Sequence, residues 1–167
     1  MFDFIGSLFG GNPHKTKGLQ LLEDRLFEEA VEELKHAHEK SNGREESILL
    51  GLGHAFFELK RFSESIEYLK IAADNASTIN PVPSIMLGYA YLKTDNVEEA
   101  ENSIRKALKI DVKHPAARYY MGLILLKKGN IDAATDEFEE VIAEKPTFVQ
   151  ARLLAIGEMF IMSRENK

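Results

Sequence analysis

A motif of small and apolar residues that returns at regular intervals is the feature that most constrains how this chain can fold. The motif is anchored on four glycines that are spaced 35, 35 and 34 residues apart: Gly18, Gly53, Gly88 and Gly122. Twelve residues after each glycine stands a small residue, in turn Ala30, Ser65, Ala100 and Ala134. Periods of this length are typical of solenoids, in which each repeat is one supersecondary unit. We therefore expect four similar repeats that stack into a solenoid.

Each repeat contains two runs with apolar residues at helical spacing, separated by a short polar turn. A glycine inside a helix costs about 1 kcal/mol relative to alanine, so its return in every first run indicates a close helix–helix approach. Neither helix of a pair can bury its apolar face alone, so neighbouring repeats must cover it. The spacing predicts helix pairs at 12–24 and 27–40, 45–59 and 62–76, 81–93 and 97–110, and 115–128 and 131–144, followed by a final helix at about 147–163.

The pattern resembles that of the tetratricopeptide repeat family, which runs W-x2-L-G-x2-Y, then A-x3-F, then P. The third repeat reads Leu87-Gly88-x-x-Tyr91, and the fourth reads Met121-Gly122-x-x-Leu125 and closes on Pro146, while the tryptophan is missing throughout. The resemblance implies an all-α superhelical solenoid of about four helix pairs plus a C-terminal capping or fifth-repeat helix. It would form a single domain over 12–163, after an apolar N-terminal segment at 1–11. The repeats would span about 11–44, 46–79, 81–114 and 115–148.

In this family the first helices of successive repeats line a concave groove in which peptides lie. Matching positions places nine residues of this chain there: Leu50, His54, Phe57, Ile85, Tyr89, Leu92, Tyr119, Leu123 and Leu126. Because the set is mostly apolar, we expect it to bind an apolar or amphipathic segment of another protein or peptide. The alternative is that neighbouring repeats bury part of this stripe. The clamp of lysine, asparagine and arginine that some members use to grip a carboxylate is absent, since only Lys15 matches its positions.

The N-terminal segment carries more large apolar side chains than a solvated tail should. Its residues Phe2, Phe4, Ile5, Leu8 and Phe9 precede a flexible Gly10-Gly11 joint. We expect this segment to dock on an apolar surface, in the groove of its own chain or in that of a second copy. The rival interpretation is a membrane-surface adaptor whose residues 1–9 lie in the interface as a short amphipathic helix. Asp3 and the lack of a basic residue weaken that alternative.

The final predicted helix has no clean polar side, since only Gln150, Arg152 and Glu158 are strongly polar between residues 148 and 162. A helix that is apolar all round is normally buried all round. Ile156-Gly157-x-x-Phe160 also repeats the opening motif, so either the chain is a fragment of a longer array or a second molecule supplies cover. The pattern predicts a homodimer or larger assembly with three contact residues, Leu154, Ile161 and Met162.

Several classes of function lack the residues that they need. The chain contains no cysteine, which removes thiolate chemistry and fits the reducing cytoplasm, and no run of about 18 apolar residues that would span a membrane. Its 27 acidic and 21 basic residues give a net charge of −6, which disfavours nucleic acid. His36 and His38 point in different directions on a helix, so they cannot share a metal. We expect a non-enzymatic protein without catalytic residues, metal or cofactor.

Overall fold

The computed structural model describes residues 12–41, 45–76, 79–145 and 147, and these form eight α-helices and no strand. The helices are α1 (Pro13–Glu23), α2 (Phe27–Lys40), α3 (Glu46–Glu58), α4 (Phe62–Asn75), α5 (Val82–Lys93), α6 (Val97–Ile110), α7 (Pro115–Lys127) and α8 (Ile131–Glu144). The four predicted helix pairs are confirmed, with every end within one residue of its expected position. The final predicted helix and the segment at 1–11 lie outside the described residues.

The chain divides into two compact units, Met1–Ser77 and Thr78–Lys167. In unit 1, α1 packs on α2, α2 on α3 and α3 on α4, and α1 also contacts α3. Unit 2 repeats this arrangement with α5 to α8, where α5 contacts α7. Within each unit the first helices of two repeats therefore lie side by side. The single domain expected over 12–163 stays a prediction.

Each unit has an apolar core between its first and second helices. In unit 1 the buried cluster comprises Val31, Leu34, Ala37, Ile48, Leu52, Ala55 and Phe56. In unit 2 one cluster comprises Ile85, Leu92, Ala100, Ile104, Ala107, Ala117, Met121 and Ile124, and a second comprises Ala134, Phe138 and Val141. The second helices contribute a narrow apolar stripe and leave most of their charged side chains exposed, as amphipathic surface helices do.

The repeated glycines permit the close helix approach that the sequence predicts. A Cβ atom on Gly53 would lie 2.5 Å from Cγ of Leu69, and one on Gly122 would lie 2.5 Å from Cε1 of Phe138. Gly18 and Gly88 face Leu34 and Ile104 in the same way. The large side chain sixteen residues after each glycine therefore fills the space that a Cβ would need.

The small residue of each second helix is fully buried, as the motif predicts, and Ser65 shows why a hydroxyl is accepted at this position. Its Oγ donates a hydrogen bond of 2.7 Å to the carbonyl oxygen of Gly53. A buried hydroxyl with a partner avoids the cost of an unsatisfied polar group. Ser65 thus replaces the alanine of the other repeats without opening the helix pair.

The turn between paired helices has the same hydrogen bonds in all four repeats. In the second repeat the amide of Lys60 donates to the carbonyl of Phe57 at 2.9 Å, and the amide of Arg61 donates to that of Phe56 at 2.9 Å. This pair of hydrogen bonds is the Schellman motif, which caps the last carbonyls of a helix. The first helix of every pair is therefore closed by the same backbone hydrogen bonds.

Candidate interaction surface

Unit 1 presents three of the predicted groove residues on α3. Leu50, His54 and Phe57 are all partly exposed. The Phe57 ring contacts Phe62 edge-on at 5.4 Å between centroids. His54 Nε2 lies 3.6 Å from a carboxylate oxygen of Glu58, one turn further along the helix. This patch combines two apolar side chains with a polar, partly charged edge.

Unit 2 buries two of the residues that were expected to face a ligand. Ile85 is 6% exposed and Leu92 is 8% exposed, and both belong to the larger core cluster of the unit. Burial of part of this stripe by neighbouring repeats was the alternative that the sequence left open. Helix α5 packs against both α6 and α7, so it needs apolar side chains on two sides. Ile85 and Leu92 support the surface from beneath and offer little area to a partner.

The remaining predicted residues of unit 2 gather around a contact between tyrosine rings of α5 and α7. Tyr89 stacks on Tyr120 with centroids 4.7 Å apart and an interplanar angle of 23°. Tyr119 meets Tyr120 at 5.4 Å and meets the buried ring of Phe138 at 5.9 Å. Leu123, one turn after Tyr119, is partly buried between the two cores of the unit. We call Tyr89, Tyr119, Tyr120 and Leu123 the tyrosine face.

Tyr120 was not among the predicted groove residues, although both of the tyrosines that it contacts, Tyr89 and Tyr119, were. The family pattern assigns one residue per turn to the groove, and Tyr120 stands one position beyond the assigned Tyr119. Two adjacent aromatic residues on a first helix were the available signal, since both cannot point into the same core. Leu126, also predicted, is partly exposed at the end of α7 and packs on the smaller core.

Burial raises the pKa of two phenols of this face. Desolvation, aided by Tyr89 and Tyr119, raises the pKa of Tyr120 to about 12. Desolvation also raises the pKa of Tyr119 above its ordinary value. Phenols of this kind are neutral at physiological pH, where they present an apolar ring together with a hydrogen-bonding group.

The charged side chains on α5 and α7 are all positive. Helices α5 and α7 contain no aspartate or glutamate, and their cations are Lys93, Arg118 and Lys127. Arg118 bonds Glu137 of α8 at 3.0 Å, and Lys127 Nζ lies 2.5 Å from a carboxylate oxygen of Asp95. Lys93 is exposed, with its Nζ 5.2 Å from the centroid of Tyr89. Lys93 is therefore the cation next to the rings.

Several carboxylates of the second helices hold neighbouring helices together. Hydrogen bonds from Lys17 and His14 of α1 hold the pKa of Glu33 on α2 below its ordinary value. Hydrogen bonds from Lys128 and Arg105 lower the pKa of Glu101 on α6. Within the described residues no group of three histidine, aspartate or glutamate side chains is placed to hold a metal. In the same part of the chain, no helix has both the length and the apolar character needed to cross a bilayer.

Comparison with known proteins agrees with this geometry. The model of the tetratricopeptide repeat family matches residues 16–78 and 85–147, two repeats in each match. No curated protein matches the sequence.

Solved structures share the fold at low sequence identity. The crystal structure of MamA protein superposes with a TM-score of 0.76 at 23% identity, over 90% of this chain and 83% of that one. The crystal structure of YrrB, a TPR protein with an unusual peptide-binding site, superposes with a TM-score of 0.72 at 19% identity, over 90% of this chain and 77% of that one. The crystal structure of the APC/C hetero-tetramer Cut9–Hcn1 superposes with a TM-score of 0.83 at 18% identity, over 94% of this chain and 32% of that one.

Proposed function

Because this chain belongs to the tetratricopeptide repeat family, we propose that it is a non-enzymatic interaction scaffold whose first helices bind an apolar or amphipathic segment of another protein. The tyrosine face of unit 2 is the observation that carries this proposal. The rings of Tyr89 and Tyr119 both contact the ring of Tyr120 and form an aromatic platform with it, and tyrosine is among the residues that most often anchor protein interfaces. Leu123 adds an aliphatic side chain next to the platform.

An amphipathic helix or an extended peptide suits such a surface. Its apolar residues would lie over the rings, while its polar groups would reach the tyrosine hydroxyls. On unit 1 we propose a second contact patch at Leu50, His54 and Phe57, which presents the same mixture of apolar and polar groups. YrrB is described by its peptide-binding site, and this precedent within the same fold supports peptide binding here.

The test is a selection of peptides from a random library displayed on phage, with the full chain as bait. A variant with Tyr89→Glu and Tyr119→Glu serves for counter-selection. The matched control is Asn102→Glu with Ala133→Glu, which adds the same charge at exposed positions of α6 and α8. We expect apolar or amphipathic peptides that bind the wild type and the control, and that lose at least about tenfold in affinity, roughly 1.4 kcal/mol, on the tyrosine variant.

Salt separates this proposal from an electrostatic mode of recognition. Apolar burial is hardly affected by ionic strength, whereas exposed charge contacts are screened. The affinity of the selected peptides should therefore change little between low and physiological salt. Strongly acidic peptides whose binding collapses over that range would contradict the proposal.

A further inference from the structure

We propose that unit 2 selects amphipathic segments that carry an aspartate or glutamate side chain beside their apolar anchors, and that Lys93 at the edge of the tyrosine face binds this carboxylate. The inference rests on the proposed function, because it takes the tyrosine face to be a peptide-binding surface. It adds the charge of the ligand and the residue that recognises it.

The residue that ends the first helix of each repeat differs in charge between the two units. In unit 1 these residues are Glu23 and Glu58, and in unit 2 they are Lys93 and Lys127. All four are exposed. The negative end of the helix dipole favours a lysine at this position and disfavours a glutamate, so helix stability does not explain the acidic residues of unit 1. The reversal therefore points to a difference in the charge of what the two units bind.

Lys93 is the cation of unit 2 that is placed to meet a ligand. Its Nζ lies 5.2 Å from the centroid of the Tyr89 ring, one helical turn earlier on α5, and this cation–π contact holds the ammonium at the edge of the rings. Lys127 Nζ lies 2.5 Å from a carboxylate oxygen of Asp95, and this bond holds the pKa of Asp95 below its ordinary value. Asp95 is thus engaged by Lys127, and Lys93 forms no ion pair within the described part of the chain.

The acidic residues near the end of α5 have other partners. Glu101 of α6 is bound by two cations of its own unit, each at 2.5 Å. Glu98 and Glu99 lie in the first turn of α6, where the positive end of the helix dipole stabilises them. A ligand carboxylate that approaches Lys93 is therefore attracted, whereas one that approaches Glu58 of unit 1 is repelled.

The geometry of α5 sets the spacing between the apolar anchor and the carboxylate of the ligand. Tyr89 and Lys93 are four residues apart, which is about 6 Å along a helix axis at 1.5 Å per residue. A helical ligand covers this distance with three or four residues. An extended ligand covers it with about two, at about 3.3 Å per residue. We therefore expect the peptides selected by the full chain to carry an acidic residue at one of these spacings from an apolar one.

A double-mutant cycle tests the contact between the carboxylate and Lys93. The probe is a synthetic copy of a library-selected peptide, amidated at its C-terminus so that the terminal carboxylate does not contribute. Its affinity for the full chain is compared with that of a derivative in which the acidic residue is replaced by its amide. Removal of the carboxylate should weaken binding to the wild type by about two- to fivefold, as for an exposed ion pair, and should not affect binding to Lys93→Gln. Loss of the contact between Lys93 and the Tyr89 ring affects both peptides equally and cancels in the cycle.

A matched control and a charge reversal sharpen this test. Lys109→Gln removes an exposed lysine of α6 instead, so the carboxylate should contribute as much to binding as it does in the wild type. Lys93→Glu should prefer a peptide whose acidic residue is replaced by lysine over the original peptide. The coupling between Lys93 and the carboxylate should also weaken as salt rises from low to physiological concentration, because exposed charges are screened.

The outcomes separate failure of this inference from failure of the proposed function. If the selected peptides lose affinity on the Tyr89→Glu, Tyr119→Glu variant but carry no acidic residue at these spacings, or show no coupling to Lys93, the scaffold function stands and this inference falls. Coupling of the carboxylate to Lys127 in place of Lys93 would also overturn it. If no selected peptide distinguishes the tyrosine variant from the wild type, the proposed function falls, and the inference falls with it.

Discussion

At the scale of single residues, the turns between paired helices require one residue with a positive φ in each repeat. Arg25, Lys60 and Asp95 have φ values of 61°, 59° and 62°, and Gly129 has 78° at the same point of the fourth repeat. The Schellman hydrogen bonds require this left-handed conformation at the residue after the helix. It costs a residue with a Cβ atom about 1–2 kcal/mol, and glycine almost nothing. Three repeats therefore carry strain that the fourth avoids.

This difference predicts opposite effects of two substitutions at equivalent positions. Lys60→Gly should raise the free energy of unfolding by roughly 0.5–1 kcal/mol, because relief of strain exceeds the added freedom of the unfolded chain. Gly129→Ala should lower it by about 1 kcal/mol. A Cβ at Gly129 would meet no atom within 4 Å, so the loss would come from the backbone alone. Urea denaturation measures both, and Gly129→Asn is a graded control because asparagine tolerates this conformation. A less stable Lys60→Gly variant would contradict the argument.

Tyr120 makes stability sensitive to alkaline pH. Its pKa is about 12 in the folded protein against an ordinary value of 10.0, so between these values the unfolded chain releases a proton that the folded chain retains. The free energy of unfolding should therefore be fully present below pH 10 and fall as pH rises from 10 towards 12. Denaturation midpoints across that range should fall less steeply for Tyr120→Phe. Equal slopes for the two proteins would show that Tyr120 is not the group responsible.

At the scale of elements, the buried face of a second helix can be predicted from the sequence, whereas that of a first helix such as α5 cannot. The amphipathic second helices show their buried face directly: Ala100, Ile104 and Ala107 recur at helical spacing and are fully buried. Helix α5 is apolar on nearly every side, and periodicity alone cannot assign its faces. The burial of Ile85 and Leu92 depends on how α6 and α7 pack around α5, which is long-range information. Lys60 is a similar case, because nothing in a lysine favours a left-handed turn.

The close approach within helix pairs predicts a substitution whose effect runs against helix propensity. Gly122→Ala would favour the helix by about 1 kcal/mol if propensity alone acted. The new Cβ, however, would lie 2.5 Å from the fully buried ring of Phe138. We expect a net loss of about 1–3 kcal/mol, as for other overpacked cores. Urea denaturation measures this, and adding Phe138→Leu should recover part of the loss. A stabilised Gly122→Ala variant would show that the helix pair can move apart freely.

At the scale of the whole molecule, the packing of successive repeats predicts how the chain after α8 packs. In each unit the first helix of the later repeat packs on both helices of the earlier repeat, as α3 packs on α1 and α2, and α7 on α5 and α6. Ile156-Gly157-x-x-Phe160 repeats the opening motif of a first helix. A helix at 147–163 would by analogy cover α7 and α8 with one of its faces. Its opposite face would then need a cover that a second helix supplies in the other repeats.

We propose that a second copy of the chain supplies this cover, with Leu154, Ile161 and Met162 in the contact. Because a helix that is apolar all round is normally buried all round, the wild type should be a dimer or larger assembly at micromolar concentration by light scattering. Leu154→Glu with Ile161→Glu should reduce it to a monomer while the helical circular dichroism signal is kept. A variant with Phe4→Gln and Phe9→Gln in the N-terminal segment is the necessary control. Docking of that segment in a second copy, as the sequence predicts, would also produce dimers. Association that persists in that control and disappears with the two glutamates assigns the interface to the final helix. A wild type that stays monomeric at every concentration tested would contradict it.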